Sequence, residues 1–313
     1  MRRTVVPRRL IAGEHLLELG ERPWLMGVVN ASPDSFSDGG RLQTVEQRVR
    51  LAAKQLRAGA DILDIGGESA STNRPPVDVE EEIERVVPLI ERILAELDAI
   101  VSVDTYKPAV ARAAIAAGAS IVNDVSGLRD PEIAEVCAQS GAALVVMHTR
   151  AAPKQRMQDP DLYRDIVLEV LDFLEDRTAL ARSAGVPHER ILVDPGPDFA
   201  KTPAQTVELL ANVSSLHSLG YPLLMAISRK DFIGALTGRA PRERLAGTLA
   251  SLAHGVDAGA HMFRVHDVAA AADYLTVRAA LAREFEPSRD LALAEELRHD
   301  TRLVEVRSDG GAG

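Results

Sequence analysis

Short apolar runs recur along the chain, and each is followed by a longer stretch in which apolar residues return every three to four positions. The runs begin at Trp24 (WLMGVVN), Asp61 (DILDIGG), Ile100 (IVSVDT), Ser120 (SIVNDV), Ala143 (ALVVMH), Ile191 (ILVDPG), Pro222 (PLLMAIS) and His261 (HMFRVH). They are too short and too continuously apolar for half-exposed strands, which suits parallel strands covered on both faces. The stretches between them, such as TVEQRVRLAAKQLRAGA and DVEEEIERVVPLIERILAEL, have helical periodicity, and several close on the glycine that commonly follows a helix. Eight strand-helix units predict an α/β fold of the (β/α)8 TIM-barrel type over residues 24–285. A doubly wound open sheet is the alternative. Residues 1–23 are left as an N-terminal extension and 286–313 as a loose C-terminal tail.

Composition narrows the function without naming it. With 46% apolar residues in 313, the chain can bury a large core, and a net charge of −10 repels nucleic acid on average. The single cysteine, Cys137, permits neither an internal disulfide nor a thiolate metal cage, and its helical context EIAEVCAQSG predicts a buried thiol. No run approaches the roughly 18 apolar residues of a membrane span, and the N-terminus lacks the apolar core of a signal peptide. A cytoplasmic protein with small-molecule partners, and with no nucleic-acid or membrane partner, is the expectation.

The candidate chemistry lies at the C-terminal ends of the runs, where a barrel of this type carries its active site. Those ends hold Asn30, Gly66-Gly67-Glu68, Asp104, Asn123-Asp124, His148, Asp194, Ser228-Arg229-Lys230 and Arg264-Val265-His266. One polar strand end is readily a helix cap or a turn former, but eight in register are not. Asp104, Asn123 and Asp194 supply the acceptors and the amide that would read a flat heterocycle with adjacent donors. Lys230, Arg264, His266 and Arg74 are cations or potential cations suited to a pyrophosphate or another anion. No serine-histidine-acid arrangement is evident, and GPDFAKT has Ala200 where a phosphate-binding P-loop needs glycine. Transfer from an anionic leaving group suits this set better than hydrolysis.

The segments MGVVNASPDSFSDGG, GADILDIGGES, VSVDTYKPAVA, IVNDVSGL, VVMHTR, ILVDPG, SRKDFIG, ERLAGTLA and FRVHDV stand in one order from about Trp24 to about Phe285. In that order the chain resembles the dihydropteroate synthase family. The resemblance implies a (β/α)8 barrel, usually homodimeric, joining 6-hydroxymethyl-7,8-dihydropterin pyrophosphate to 4-aminobenzoate. It further implies that Asp104, Asn123, Asp194 and Lys230 hold the pterin, that Asn30 contributes to Mg²⁺ and leaving-group binding, and that Arg74, Arg264 and His266 cradle the pyrophosphate. Phe36 would help to exclude water as the first loop closes, with Asp38 near the developing cation. Sulfonamides, as imitators of 4-aminobenzoate, would compete for its seat.

The half of the pattern that receives 4-aminobenzoate departs from the family in three places. The second loop reads ESASTNRPPV where members commonly read E-S-T-R-P-G, so Ser69 and Thr72 compete for one contact. Phe199, the ring platform, follows Asp198 where glycine is usual. Asp231 stands beside Ser228 and Lys230 where many members have serine, at the predicted start of a helix whose amides would receive the acceptor's carboxylate; its side chain is expected to cap those amides. Some actinobacterial-type paralogues are similar to this chain in carrying D-F and K-D-F here. Two readings stay open: a working synthase, and a paralogue that binds the pterin pyrophosphate but uses another acceptor or is non-catalytic. A pterin-dependent methyltransferase on a related barrel would share the pterin readers but would not need the pyrophosphate cradle.

Overall fold

A computed structural model describes residues 6, 8–31, 44–69 and 75–297. Contacts divide the chain into residues 1–274 and 275–313. The first unit holds the barrel. Its strands are β1 (Arg8–Ala12), β2 (His15–Leu19), β3 (Trp24–Asn30), β4 (Ile62–Gly66), β5 (Ile100–Asp104), β6 (Ile121–Asp124), β7 (Ala143–Met147), β8 (Ile191–Asp194), β9 (Leu224–Met225) and β10 (Met262–Val265). The helices are α1 (Val45–Arg57), α2 (Val79–Glu96), α3 (Pro108–Ala116), α4 (Glu132–Ser140), α5 (Ile166–Ser183), α6 (Pro203–Ala211), α7 (Asp231–Thr237), α8 (Leu245–Asp257) and α9 (Val268–Leu281), the last running into the second unit. Within that second unit the described residues finish α9 and add a short 3-10 turn at Glu295–Leu297.

Strands β3 to β10 form one parallel eight-stranded sheet in the order β8-β7-β6-β5-β4-β3-β10-β9. A parallel bridge between Val193 and Leu223 brings its two ends together, which completes the predicted barrel. The seventh strand is cut to two residues, after which the chain leaves the ladder to present Ser228, Arg229 and Lys230.

The N-terminal extension is more structured than its sequence implied. β1 and β2 pair antiparallel through a two-residue turn in which Gly13 has φ of 58°. Glycine is the residue that adopts this conformation without steric cost, so the turn fixes the hairpin's register. Leu10, Ala12, Leu17 and Leu19 on one face pack with Met26, Ile62, Ile121, Ala143, Leu192, Leu224 and Met262. The hairpin thereby buries the apolar lower layer of the barrel interior, on the order of 1.5–3 kcal/mol per large side chain relative to leaving it in water. Cys137 lies on α4, buried, with its thiol pushed up to about 12 by burial first and by Asp124 second.

Candidate functional site

Above the apolar layer the inward positions become polar. Asp64 is fully buried in the middle of β4, and its Oδ2 accepts from Arg264 Nε at 2.6 Å and from Asn123 Nδ2 at 3.2 Å. Arg264 Nη2 donates to Asp104 Oδ2 at 2.7 Å. Strand register accounts for the grouping: Asp64 lies opposite Ser102 on β5, two residues before Gly66 and Asp104, and Asp104 lies opposite Asn123 on β6. One guanidinium thus serves two carboxyl groups. Burial first, then Asp64, Glu82 and Asp124, raise Asp104 to about 7 against the pull of Arg264. Burial would lower the Arg264 pKa, but Asp64 and Asp104 hold it above its ordinary value.

Asp194 closes the layer from β8. Its Oδ1 accepts the Gly196 amide at 2.7 Å, and burial raises its pKa. Gly196 has φ of 64°, and a Cβ there would stand 2.1 Å from the carbonyl oxygen of His148, so the sharp exit from β8 admits no side chain. The exit delivers Pro197, Asp198 and Phe199. Lys230 Nζ donates to the Pro197 carbonyl at 2.9 Å and lies 4.3 Å from the centre of the Phe199 ring, a cation over an aromatic face. Burial lowers the Lys230 pKa, with Asp198 and Asp194 opposing.

His266 is not one of the site's cations. Burial, followed by the charges of Arg264 and Arg229, lowers its pKa to about 3. Ser228 Oγ accepts the His266 amide at 3.2 Å and lies 3.0 Å from Nδ1. The hydroxyl hydrogen then suits Nδ1 as acceptor, which leaves the ring N–H on Nε2. A neutral His266 can meet an anion as a hydrogen-bond donor rather than as a charge. Arg229 forms a two-point pair with Asp267, at 3.0 and 2.7 Å.

At the start of α7 the expected cap is corrected. Asp198, with φ of 66°, places Oδ2 2.5 Å from the Asp231 amide and Oδ1 3.3 Å from that of Phe232. Asp231 itself does not cap: its side chain is 69% exposed and pairs with Arg244 Nη1 at 3.0 Å. A residue cannot readily fold its side chain back on its own amide, whereas Asp198 approaches from the neighbouring loop. The acid on the amides therefore belongs to the Phe199 loop.

Other strand-end residues are structural. Asp124 accepts the amides of Ser126 and Leu128, both at 2.7 Å, and shapes the turn after β6. His148 is buried, driven down to about 2 by burial and then by Lys201 and Arg150, and its Nδ1 lies 2.8 Å from Lys201 Nζ. Glu68 anchors the base of the second loop: Lys107 Nζ lies 2.8 Å from its Oε2, and the Tyr106 hydroxyl donates to its Oε1 at 3.1 Å. Lys154, from the loop after β7, donates to the Ser69 carbonyl at 2.6 Å. A cleft of about 620 Å³ open volume joins this base to Asp104 and Phe199.

Asp104, Asn123, Asp194, Lys230 and Arg264 thus share the upper end of the barrel, with Asn30 at the end of β3 and Ser228, Asp231 and Phe199 at the α7 side. Phe36, Asp38, Thr72 and Arg74 lie outside the described residues. Sequence reasoning missed Asp64 and Lys201. The signal for Asp64 was an acid in the middle of the apolar run DILDIGG; Lys201, in a loop, offered none.

Among the described residues no three His, Cys, Asp or Glu side chains are placed to hold a metal ion. Mg²⁺ commonly keeps several waters and is held by one or two protein oxygens together with substrate phosphates. The single amide oxygen of Asn30 fits an ion of that kind, carried in by a pyrophosphate, and not a resident metal cage.

A closed barrel whose upper layer is buried and polar, beside a lysine on an aromatic ring, has the architecture of a small-molecule enzyme of the (β/α)8 class. The sequence pattern described as "Pterin binding enzyme" matches residues 26–266, and the chain belongs to that family. The dihydropteroate synthase of Synechocystis sp. is 42% identical over 279 residues, 88% of this chain and 96% of that one. The structure of Xanthomonas albilineans dihydropteroate synthase with 4-aminobenzoic acid superposes with a TM-score of 0.82 at 45% identity, covering 89% of this chain and 99% of that one. A second structure of that enzyme, in complex with 7,8-dihydropteroate, gives a TM-score of 0.78 at 44% identity, covering 88% and 99%.

Proposed function

We propose that the chain condenses 6-hydroxymethyl-7,8-dihydropterin pyrophosphate with 4-aminobenzoate, giving 7,8-dihydropteroate and pyrophosphate. The observation that carries this reading is the buried layer of Asp104, Asn123, Asp194 and Arg264, capped by Lys230 over Phe199. Its carboxyl oxygens accept from the amino and ring N–H groups of the pterin, and the Asn123 amide and Lys230 complete the edge. The exocyclic C–O bond then breaks, its electron pair leaving on the pyrophosphate, and the cation left behind is conjugated with the dihydropterin ring. The arylamine nitrogen forms the new C–N bond and loses a proton to solvent.

Arg264, with N–H groups beyond the two its carboxyl partners take, and His266, through Nε2–H, are the donors that would stabilise the departing anion. Lys230, which follows the strand next to that of Arg264, adds positive charge, and Arg74 belongs to the same cradle by family resemblance. Asn30 would hold Mg²⁺, which when bound supplies further charge neutralisation to the leaving group. Phe199, Ser228, Thr72 and the Asp231 position form the acceptor's seat in this reading, with Phe36 and Asp38 added by family resemblance. A cytoplasmic homodimer is carried over with the family and is tested by light scattering.

The test is pyrophosphate release from the pterin substrate. Release that depends on both 4-aminobenzoate and Mg²⁺ is expected, and tight pterin binding without turnover at saturating acceptor refutes the reading. One observation favours a second reading, in which another acceptor is used or none: the amides at the start of α7 are already held by Asp198. Turnover with a neutral arylamine but not with 4-aminobenzoate would establish it.

A further inference from the structure

Asp64 has no part in the chemistry just described, yet it occupies the centre of the pterin-reading layer. A buried aspartate in the middle of an apolar barrel strand costs several kcal/mol to desolvate unless its partners compensate. Its Oδ2 is the meeting point of two readers, accepting from Arg264 Nε at 2.6 Å and from Asn123 Nδ2 at 3.2 Å. An arginine needing a structural counter-ion already has Asp104, at 2.7 Å from Nη2. A second carboxyl group on the same cation therefore does something other than neutralise it.

Donor and acceptor logic shows what that is. The Asn123 amide can sit in two orientations that exchange a donor for an acceptor, and among the described residues Asp64 is the side-chain partner that distinguishes them. A carboxyl oxygen that only accepts turns Nδ2 towards β4 and leaves Oδ1 as the face offered elsewhere. Arg264 is fixed in the same way: with Nε on Asp64 and Nη2 on Asp104, its plane cannot rotate without breaking a bond, and Nη1 is aimed by default. We propose that Asp64 is a positioning residue, which sets the donor–acceptor pattern that Asn123 and Arg264 present to the pterin pyrophosphate. The inference rests on the proposed substrate, and it predicts a residue that the enzyme keeps for recognition at no gain in stability.

The test uses the full chain, with 6-hydroxymethyl-7,8-dihydropterin pyrophosphate as the calorimetric ligand and thermal unfolding as the companion measurement. Asp64→Asn keeps the shape but can donate as well as accept, so the Asn123 amide is no longer held to one orientation. Dissociation constants are expected to rise at least tenfold while the unfolding midpoint stays level or climbs. Combined with Asn123→Ala, the loss should fall at least fivefold short of the product of the separate losses, because Asp64 acts partly through the group removed. Independent, multiplying losses, or binding within twofold of the parent chain, overturn the proposal. A purely structural role for Asp64 predicts a lower midpoint with unchanged affinity, which also overturns it. Failure of the parent chain to bind the pterin pyrophosphate defeats the proposed function instead. If Asp64→Asn is recovered only as aggregate, Asp64→Ser, which also removes the charge, carries the same comparisons.

Discussion

Replacing Asp198 by glycine isolates the charge that stands on the α7 amides. The carboxylate lies 2.5 Å from the Asp231 amide and 3.3 Å from that of Phe232, on the loop that also presents Phe199 to Lys230. An acceptor carboxylate about 5 Å from it is repelled by ~0.8 kcal/mol at the dielectric of water and by ~3 kcal/mol at an effective value near 20. At ~1.4 kcal/mol per tenfold, the KM for 4-aminobenzoate should fall between about fourfold and a few hundredfold; because Asp198 is half-buried, a change near tenfold is expected. Stability should barely move: losing the cap costs ~0.5–2 kcal/mol, while glycine relieves ~1–2 kcal/mol of strain at φ of 66°. Steady-state kinetics at 0.1 and 1 M salt provide the assay. Screening shortens the Debye length from ~10 to ~3 Å, so the advantage of the glycine variant should shrink at high salt. For a neutral arylamine it should be absent at either. An active Asp198→Gly variant with an unchanged KM for 4-aminobenzoate refutes the argument that this carboxylate governs the acceptor.

By contrast, Asp231→Ser should change the same KM by less than about threefold, since an exposed ion pair such as Asp231 with Arg244 contributes ~0–1 kcal/mol and its side chain is turned away from the amides. Lys201→Met should lower unfolding stability by ~2–4 kcal/mol in urea titration, because it strips the Gly196 and Phe199 carbonyls of a donor at 2.8 and 2.9 Å; turnover should fall with it as the Asp194–Phe199 loop loosens. His261, beneath the barrel, is lowered to about 4 by burial first, so below its ordinary value of 6.5 the unfolded chain binds a proton that the folded chain refuses. Its contribution is present at neutral pH and lost as pH falls from about 6.5 to about 4, so stability should drop there by ~1.4 kcal/mol per pH unit more than in His261→Asn. Equal slopes in the two proteins would dismiss that assignment.

The barrel was legible because its signals are local: each strand is a short apolar run, and each helix has its own period and end. The hairpin at residues 8–19 was not read, although RRLIA and HLLEL flank the turn Gly13-Glu14. Its apolar face makes sense only once the barrel's lower layer is known to need a cover. The site divides along the same line. Residues at strand ends were found by position, since the fold brings every strand's C-terminal end to one side. What each one touches was not, because hydrogen-bond partners in a barrel come from strands far apart in the chain.

Asp198 and Asp231 show how much depends on that difference. Both acids are visible in the sequence beside the motifs that family resemblance gives to the second substrate, and the one at the helix start is the natural candidate for the cap. Capping by proximity in sequence assumes that the nearest acid reaches the amides first. Here the exit from β8 turns so sharply at Gly196 that Asp198, 33 positions earlier, arrives over the helix end in a left-handed conformation, and Arg244 draws Asp231 outward. In the proposed reaction the negative charge near the acceptor would come with the loop that carries Phe199, so a change that moves Phe199 also moves the charge. Acceptor affinity and platform geometry should consequently vary together: substitutions that loosen this loop, Lys201→Met among them, should change acceptor KM more than the dissociation constant of the pterin. Equal effects on both substrates would place the coupling deeper in the barrel, at Asp194.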